Sequence, residues 1–176
     1  MSLINEELKK VKAFVFDVDG VLSKDTSPVD INGDPVRTAN VKDGFAIRQA
    51  INAGYIVALI TGGYTERVRK RYEKIGVKYY YDDVSDKVQC LDELLEITGI
   101  SADNVLFMGD DLVDYHVMMK VGFPTCPFDA VDEIKEISKY ISNKNGGEGC
   151  VRDVIENTLR IQENWFFNNK FHDKAF

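Results

Sequence analysis

Three short apolar runs limit what this chain can fold into. Ala13–Phe16, residues 55–60 and Val105–Met108 each stop at a polar, glycine-bearing turn: Asp17-Val18-Asp19-Gly20, Thr61-Gly62-Gly63 and Gly109-Asp110-Asp111. Runs this short and this uniformly apolar read as strands buried on both faces. Tyr79–Tyr81 and Phe123–Cys126 are weaker strand candidates. Helical stretches lie between them at 45–53, 65–75, Lys87–Thr98 and 113–121, with two more at 131–140 and 151–163. Strands separated by helices of this length imply right-handed crossovers and a parallel sheet. The expected fold is therefore α/β: a three-layer, Rossmann-like domain spanning 1–176.

One segment breaks the alternation. Between Gly20 and Asp43 there is no helical period, and residues 27–31 and 35–41 flank Asn32-Gly33. Asn-Gly is a strong two-residue hairpin signal, so a β-hairpin near 25–40 is expected to project beside the first acidic turn. At the other end, residues 164–176 form an unusually aromatic tail, with Trp165, Phe166, Phe167, Phe171 and Phe176.

Composition excludes several classes. The net charge of -7 argues against a nucleic-acid partner, which usually needs a basic face, and an anionic substrate would need a locally positive or metal-bearing site. No apolar run approaches the roughly 20 residues of a membrane span. The segment Met1–Glu7 lacks the basic and apolar regions of a signal peptide. Cys90, Cys126 and Cys150 match no zinc spacing and suggest a reducing compartment. A cytoplasmic protein is expected.

Asp17 and Asp19 would point to opposite faces if the strand simply continued. A turn at Gly20 lets both face one crevice, at the carboxyl ends of the strands where open α/β sheets bind ligands. Like charges held there repel, and a bound cation is the simplest reason to keep them; a solvated polar turn is the other. Asp110, Asp111 and Asp114 follow another strand at the same edge. Oxygen ligands converging from two strand ends suit Mg²⁺, which keeps several waters. Alone, Gly-Asp-Asp is equally a loop with a helix cap. Thr61-Gly62 can seat an anion or cap a helix. Lys87 opens a helix and can be solvated or turned toward the same anion. His116 and His172 have no metal-binding partner and read as structural or exposed.

Taken in order, these motifs resemble the four of the haloacid dehalogenase superfamily of phosphohydrolases: Phe16-Asp17-Val18-Asp19-Gly20-Val21-Leu22, Ile60-Thr61-Gly62, Lys87, and Gly109 through Asp114. The resemblance implies Asp17 as nucleophile, forming an aspartyl-phosphate, and Asp19 as general acid and then base. It implies Thr61 and Lys87 on the phosphoryl oxygens. It further implies Mg²⁺ on Asp17, the Asp19 carbonyl and Asp110, with Asp111 and Asp114 orienting waters and Lys87. Such enzymes usually insert a cap domain between the first and second or the second and third motifs. Here the first gap holds a hairpin and one helix, and the second one helix and a short strand, so no cap is expected.

A capless chain of this kind resembles the tetrameric 3-deoxy-D-manno-octulosonate 8-phosphate phosphatase family. Val41-Lys42-Asp43-Gly44, Arg69-Lys70-Arg71 and Gly146 through Arg152 carry that likeness. It implies a sugar-acid phosphate as substrate in lipopolysaccharide precursor synthesis, and a homotetramer joined through the hairpins, in which a neighbouring subunit helps cover each site. Thr61, Gly62, Arg71, Lys87 and Arg152 would bind substrate, with Arg71 on the sugar carboxylate and Lys74 near the sugar. Gly146 through Gly149 read as a flexible lid or as a turn before a helix. Many octulosonate phosphatases carry Arg directly after Thr-Gly, and related nonulosonate phosphatases can carry Glu. Gly63 departs from both, which leaves a nine-carbon nonulosonate 9-phosphate, or a broad range of sugar phosphates, as alternatives. A non-catalytic binding protein would not need Asp17, Asp19, Thr61, Lys87 and Asp110 together.

Overall fold

A computed structural model describes residues 3–64 and 66–165. Six strands lie in one parallel sheet: β1 (Ala13–Phe16), β2 (Ile56–Ile60), β3 (Tyr79–Tyr81), β4 (Val105–Met108), β5 (Phe123–Cys126) and β6 (Tyr140–Ile141). Their order is β3-β2-β1-β4-β5-β6. Chain order reverses at β1, between β2 and β4, and this switch point is where ligands bind in open α/β sheets. The helices are α1 (Leu3–Leu8), α2 (Val41–Asn52), α3 (Glu66–Lys74), α4 (Lys87–Thr98), α5 (Tyr115–Met118), α6 (Asp132–Ile137) and α7 (Cys150–Ile161).

Strand alternation sorts the core into two layers. Phe14 and Phe16 of β1 join Ala46, Ile47, Val68, Tyr72, Val154 and Ile155, from α2, α3 and α7, on one face. Ala13 and Val15 join Leu91, Leu94, Val117, Met118 and Ile134, from α4, α5 and α6, on the other. This is the expected three-layer sandwich.

Several elements differ from expectation. Residues 131–140 do not form one helix: α6 ends at Ile137, and Tyr140 starts the edge strand β6. Helix α5 is one short turn preceded by a 3₁₀ turn at Leu112–Asp114, not a helix over 113–121. The segment 25–40 is a strap that pairs over less than expected: a short hairpin with one antiparallel bridge, Val29 to Pro35, and two cross-strand bonds, from the Asp30 amide to the Asp34 carbonyl and from the Val36 amide to the Pro28 carbonyl, at 2.8 Å each. Its turn is also longer than two residues. The Asp30 carboxylate accepts from the Asn32 and Asp34 amides, the Gly33 amide donates to the Asp30 carbonyl, and Gly33 has φ 87°. Asp30 thus builds a three-residue loop closed by a left-handed glycine, which overrides the Asn-Gly signal. Of the aromatic tail, only Asn164 and Trp165 fall among the described residues. The Trp165 ring meets Phe45 edge-on at 6.2 Å.

Asn40 caps α2 through its side chain and also donates to the Gly147 carbonyl. Gly147 in turn donates to the Val21 carbonyl, and a Cβ at Gly146 would stand 1.9 Å from the Gly20 carbonyl oxygen. Residues 146–149 are therefore a turn packed on the loop after β1, and the lid reading does not hold.

Helix α7 begins at a glycine and takes its cap from a neighbouring helix. Buried Asp43 of α2 accepts the Arg152 amide at 2.7 Å, while its other oxygen has no partner among the described residues. Burial pushes this carboxyl up to about 6. The ionised form is disfavoured in the fold, so stability is lost as pH rises from about 4 to about 6. Asp43→Asn keeps the acceptor and removes the charge. Measured by denaturant unfolding, it should gain roughly 3 kcal/mol relative to wild type between pH 4 and pH 7.5. A pH-independent difference would contradict this.

Candidate active site

The site begins where β1 stops. Asp17 takes the next ladder position, its amide donating to the Met108 carbonyl at 3.0 Å, which ties it to the end of β4. Gly20 then turns the chain at φ 77°. Any side chain there would collide with the far loop, since a Cβ would lie 1.9 Å from Asp110 Oδ2. The glycine thus lets two acidic loops close on one another.

Three carboxylates meet as a result. One oxygen each from Asp17, Asp110 and Asp114 lie within 4.8 Å of one another. Lys87, the first residue of α4, reaches them from the side: its Nζ is 2.7 Å from Asp114 Oδ1 and 3.0 Å from Asp17 Oδ1. The Asp86 side chain caps α4 by accepting from the Val88 and Gln89 amides, which fixes where Lys87 departs. The Asp114 carboxylate also accepts the Asp110 amide.

Charge does not balance in this crevice. Burial, and after it Asp114, pushes Asp17 up to about 7 against the pull of Lys87. Burial together with Asp17, Asp114 and Asp111 pushes Asp110 up to about 8. Burial also raises Asp114. Burial opposes the charge on Lys87, but Asp17 and Asp114 outweigh it and hold the ammonium above its ordinary value. Three acids around one ammonium leave an excess of two negative charges when fully ionised. A divalent cation cancels that excess, and an all-oxygen donor set suits a hard one. The residues therefore fit the expected Mg²⁺, which the side chains of Asp17 and Asp110 could hold. Asp114 is within reach, but its close partner is Lys87.

The other expected residues divide. Buried Thr61 follows β2 at the same sheet edge, with its hydroxyl accepting the Gly63 amide at 3.2 Å; α3 starts only at Glu66, so Thr61 lies ahead of the helix. Exposed Asp111 accepts the Leu112 amide and caps the 3₁₀ turn. The Arg71 guanidinium lies over the first turn of α2, 2.9 Å from where a Cβ at Gly44 would stand. Arg69 pairs with Asp82 and covers the Tyr80 ring. Lys70 pairs with Glu66, while Arg67 and Lys74 are exposed. Arg152 bonds Glu156 and lies against the Phe45 and Trp165 rings, beside the α2–α7 packing. His116 is exposed on α5, and His172 lies outside the described residues.

One residue at the site escaped the sequence reading. Arg37, on the strap, grips both oxygens of Asp19 at 2.7 and 2.8 Å. The available signal was Gly63, an unfilled position after Thr-Gly, together with an arginine in the segment after Asp19.

The chain is similar to known proteins in sequence and in fold. A haloacid dehalogenase-like hydrolase family model matches residues 80–155. The 3-deoxy-D-manno-octulosonate 8-phosphate phosphatase of Escherichia coli K12 is 35% identical over 154 residues, 88% of this chain and 82% of that protein. Its Yersinia pestis counterpart is 32% identical over 153 residues, 87% and 82% of the two chains. The Moraxella catarrhalis phosphatase, solved with magnesium, phosphate and KDO, superposes with a TM-score of 0.88 at 31% identity, over 94% of this chain and 95% of that one. A cobalt-bound form from Haemophilus influenzae gives 0.85 at 27%, over 89% and 92%.

The raised carboxyls predict how metal and pH are linked. Without metal, folded values of about 7 for Asp17 and about 8 for Asp110 mean that stability is lost as pH rises from about 4 through about 8. Mg²⁺ competes with those protons. In thermal melts it should stabilise far more at pH 8.5 than at pH 5.5, by roughly 3 kcal/mol at a hundredfold excess over its Kd. Equal stabilisation at both pH values would contradict this charge balance.

Proposed function

The chain belongs to the 3-deoxy-D-manno-octulosonate 8-phosphate phosphatase family, and we propose that it hydrolyses that phosphate monoester to the free sugar acid and inorganic phosphate, with Mg²⁺ as cofactor. The observation that carries this reading is the cluster of Asp17, Asp110 and Asp114 around buried Lys87, at the switch point of the sheet. The sugar acid is the eight-carbon one, as in the relatives named above.

Asp17 is the nucleophile. Lys87 and the Val18 amide both hold its Oδ1, at 3.0 and 2.7 Å, which supports attack by Oδ2. As the bond from Oδ2 to phosphorus forms, the bond to the sugar oxygen breaks, and that oxygen takes a proton from Asp19. Water then attacks the aspartyl-phosphate, gives its proton to Asp19 and releases Asp17. Lys87 and Thr61 stabilise the phosphoryl oxygens as charge redistributes. Asp17, Asp110 and the Asp19 carbonyl would hold Mg²⁺, which when bound would supply charge neutralisation. Thr61 and Gly62 face the phosphate, and Arg71 takes the sugar carboxylate.

We propose one domain, a role in lipopolysaccharide precursor synthesis, and a cytoplasmic setting, which the free thiols of Cys90, Cys126 and Cys150 suit. No described helix is long and apolar enough to cross a membrane. The strap presents Val29, Ile31 and Val36 at 68, 100 and 45% exposure, and this apolar surface supports a homotetramer built on it.

Asp17→Asn should lower kcat at least about a thousandfold on octulosonate 8-phosphate while the melting curve stays cooperative. In a panel of ulosonate phosphates, that compound should lead in kcat/KM. A nonulosonate 9-phosphate ahead of it would overturn the substrate assignment. Light scattering should give the mass of four chains, and Ile31→Asp should reduce it; a wild-type monomer would contradict the assembly.

A further inference from the structure

The Arg37 side chain is only 8% exposed, yet its partner Asp19 is 43% exposed at the mouth of the crevice. The guanidinium forks over the carboxylate, Nε to Oδ1 at 2.7 Å and Nη2 to Oδ2 at 2.8 Å. A two-point pair fixes the plane of the carboxylate as well as its position, which a single bond does not. Each carboxylate oxygen still has a second lone pair, so the grip leaves Asp19 able to exchange a proton with another oxygen.

Gly63 provides the space for this fork. A Cβ there would stand 2.1 Å from Arg37 Nη2, 2.9 Å from its Cζ and 3.1 Å from Asp19 Oδ2. A glycine after β2 and an arginine from the strap thus meet at one carboxylate, although neither belongs to the four motifs. We propose that Arg37 is a positioning residue for phosphoryl transfer: it holds the Asp19 carboxylate toward the leaving oxygen, and the missing side chain at Gly63 is the condition for that hold. The proposal rests on Asp19 acting as the acid.

The test compares kcat/KM for phenyl phosphate and p-nitrophenyl phosphate with Mg²⁺ present. Neither carries a sugar carboxylate, so lost sugar recognition cannot imitate the effect. Phenolate is the more basic leaving group and depends far more on a delivered proton. Asp19→Ala should therefore lower phenyl phosphate turnover about a hundredfold more than p-nitrophenyl phosphate turnover. Arg37→Ala should show the same selectivity at about tenfold, and Arg37→Lys should recover part of it. Gly63→Ala leaves both partners in place and crowds chiefly the flexible end of Arg37, at 2.1 Å, with Asp19 Oδ2 the more distant contact at 3.1 Å. It should reproduce the Arg37→Ala selectivity, and the double variant should fall within about twofold of Arg37→Ala alone. Selectivity in Asp19→Ala but in neither Arg37→Ala nor Gly63→Ala would overturn the proposal alone. No selectivity in Asp19→Ala would overturn the acid assignment, and the proposal with it.

Discussion

Lys87 is the residue on which the site depends. Its ammonium is buried and bonded to two carboxylates, and a third stands within reach of both. Leaving a buried charge without its partner is costly, so α4, the loop after β1 and the loop after β4 are bound into one arrangement. The same cluster carries more negative charge than Lys87 can balance. That imbalance is tolerable only where a cation or protons make up the difference, and it connects the fold to phosphate chemistry.

Close approach of loops is the second constraint. Gly20 lets Asp110 come against the loop after β1, and Gly63 lets Arg37 reach Asp19. At Gly109, a Cβ would lie 2.4 Å from that of Asp114. In each case the glycine adjoins a charged side chain and gives the space that the side chain needs. A small, capless domain can in this way pack several charged groups into one crevice without a second domain to hold them.

Much of this was legible from residue order. Four of the six strands have the expected bounds; for β1 and β4 this is because a strand buried on both faces leaves an unbroken apolar run, while the half-buried edge strand β3 and the mixed β5 were weaker signals. Helix α4 was equally clear, with Asp86 capping its start and Gly99, at φ 68°, its end. Asp17 and Asp110 were expected at one edge because parallel strands bring their carboxyl ends together, while Lys87 and the orienting role of Asp114 came only from the order of the motifs and the family they resemble. What escaped was non-local or very short. The two-residue strand β6 hides in what reads as helix, and the turn at Asp30 is set by a carboxylate accepting from two amides. Arg37 and Asp19 are 18 residues apart with no periodic relation, so only their tertiary meeting shows the pair. Arg152, expected at substrate or at a subunit contact, lies against two aromatic rings and Glu156, contacts between α2 and α7 that no local pattern announces.

The central claim is that Asp17 carries the phosphoryl group during turnover. It is tested most directly by quenching the enzyme in mid-turnover with octulosonate 8-phosphate and Mg²⁺, reducing with borohydride and locating the product by peptide mass spectrometry. The account predicts conversion of residue 17 to homoserine, dependent on substrate and absent when it is omitted. Brisk phosphate release with residue 17 unmodified, or modification at another carboxylate, would contradict it.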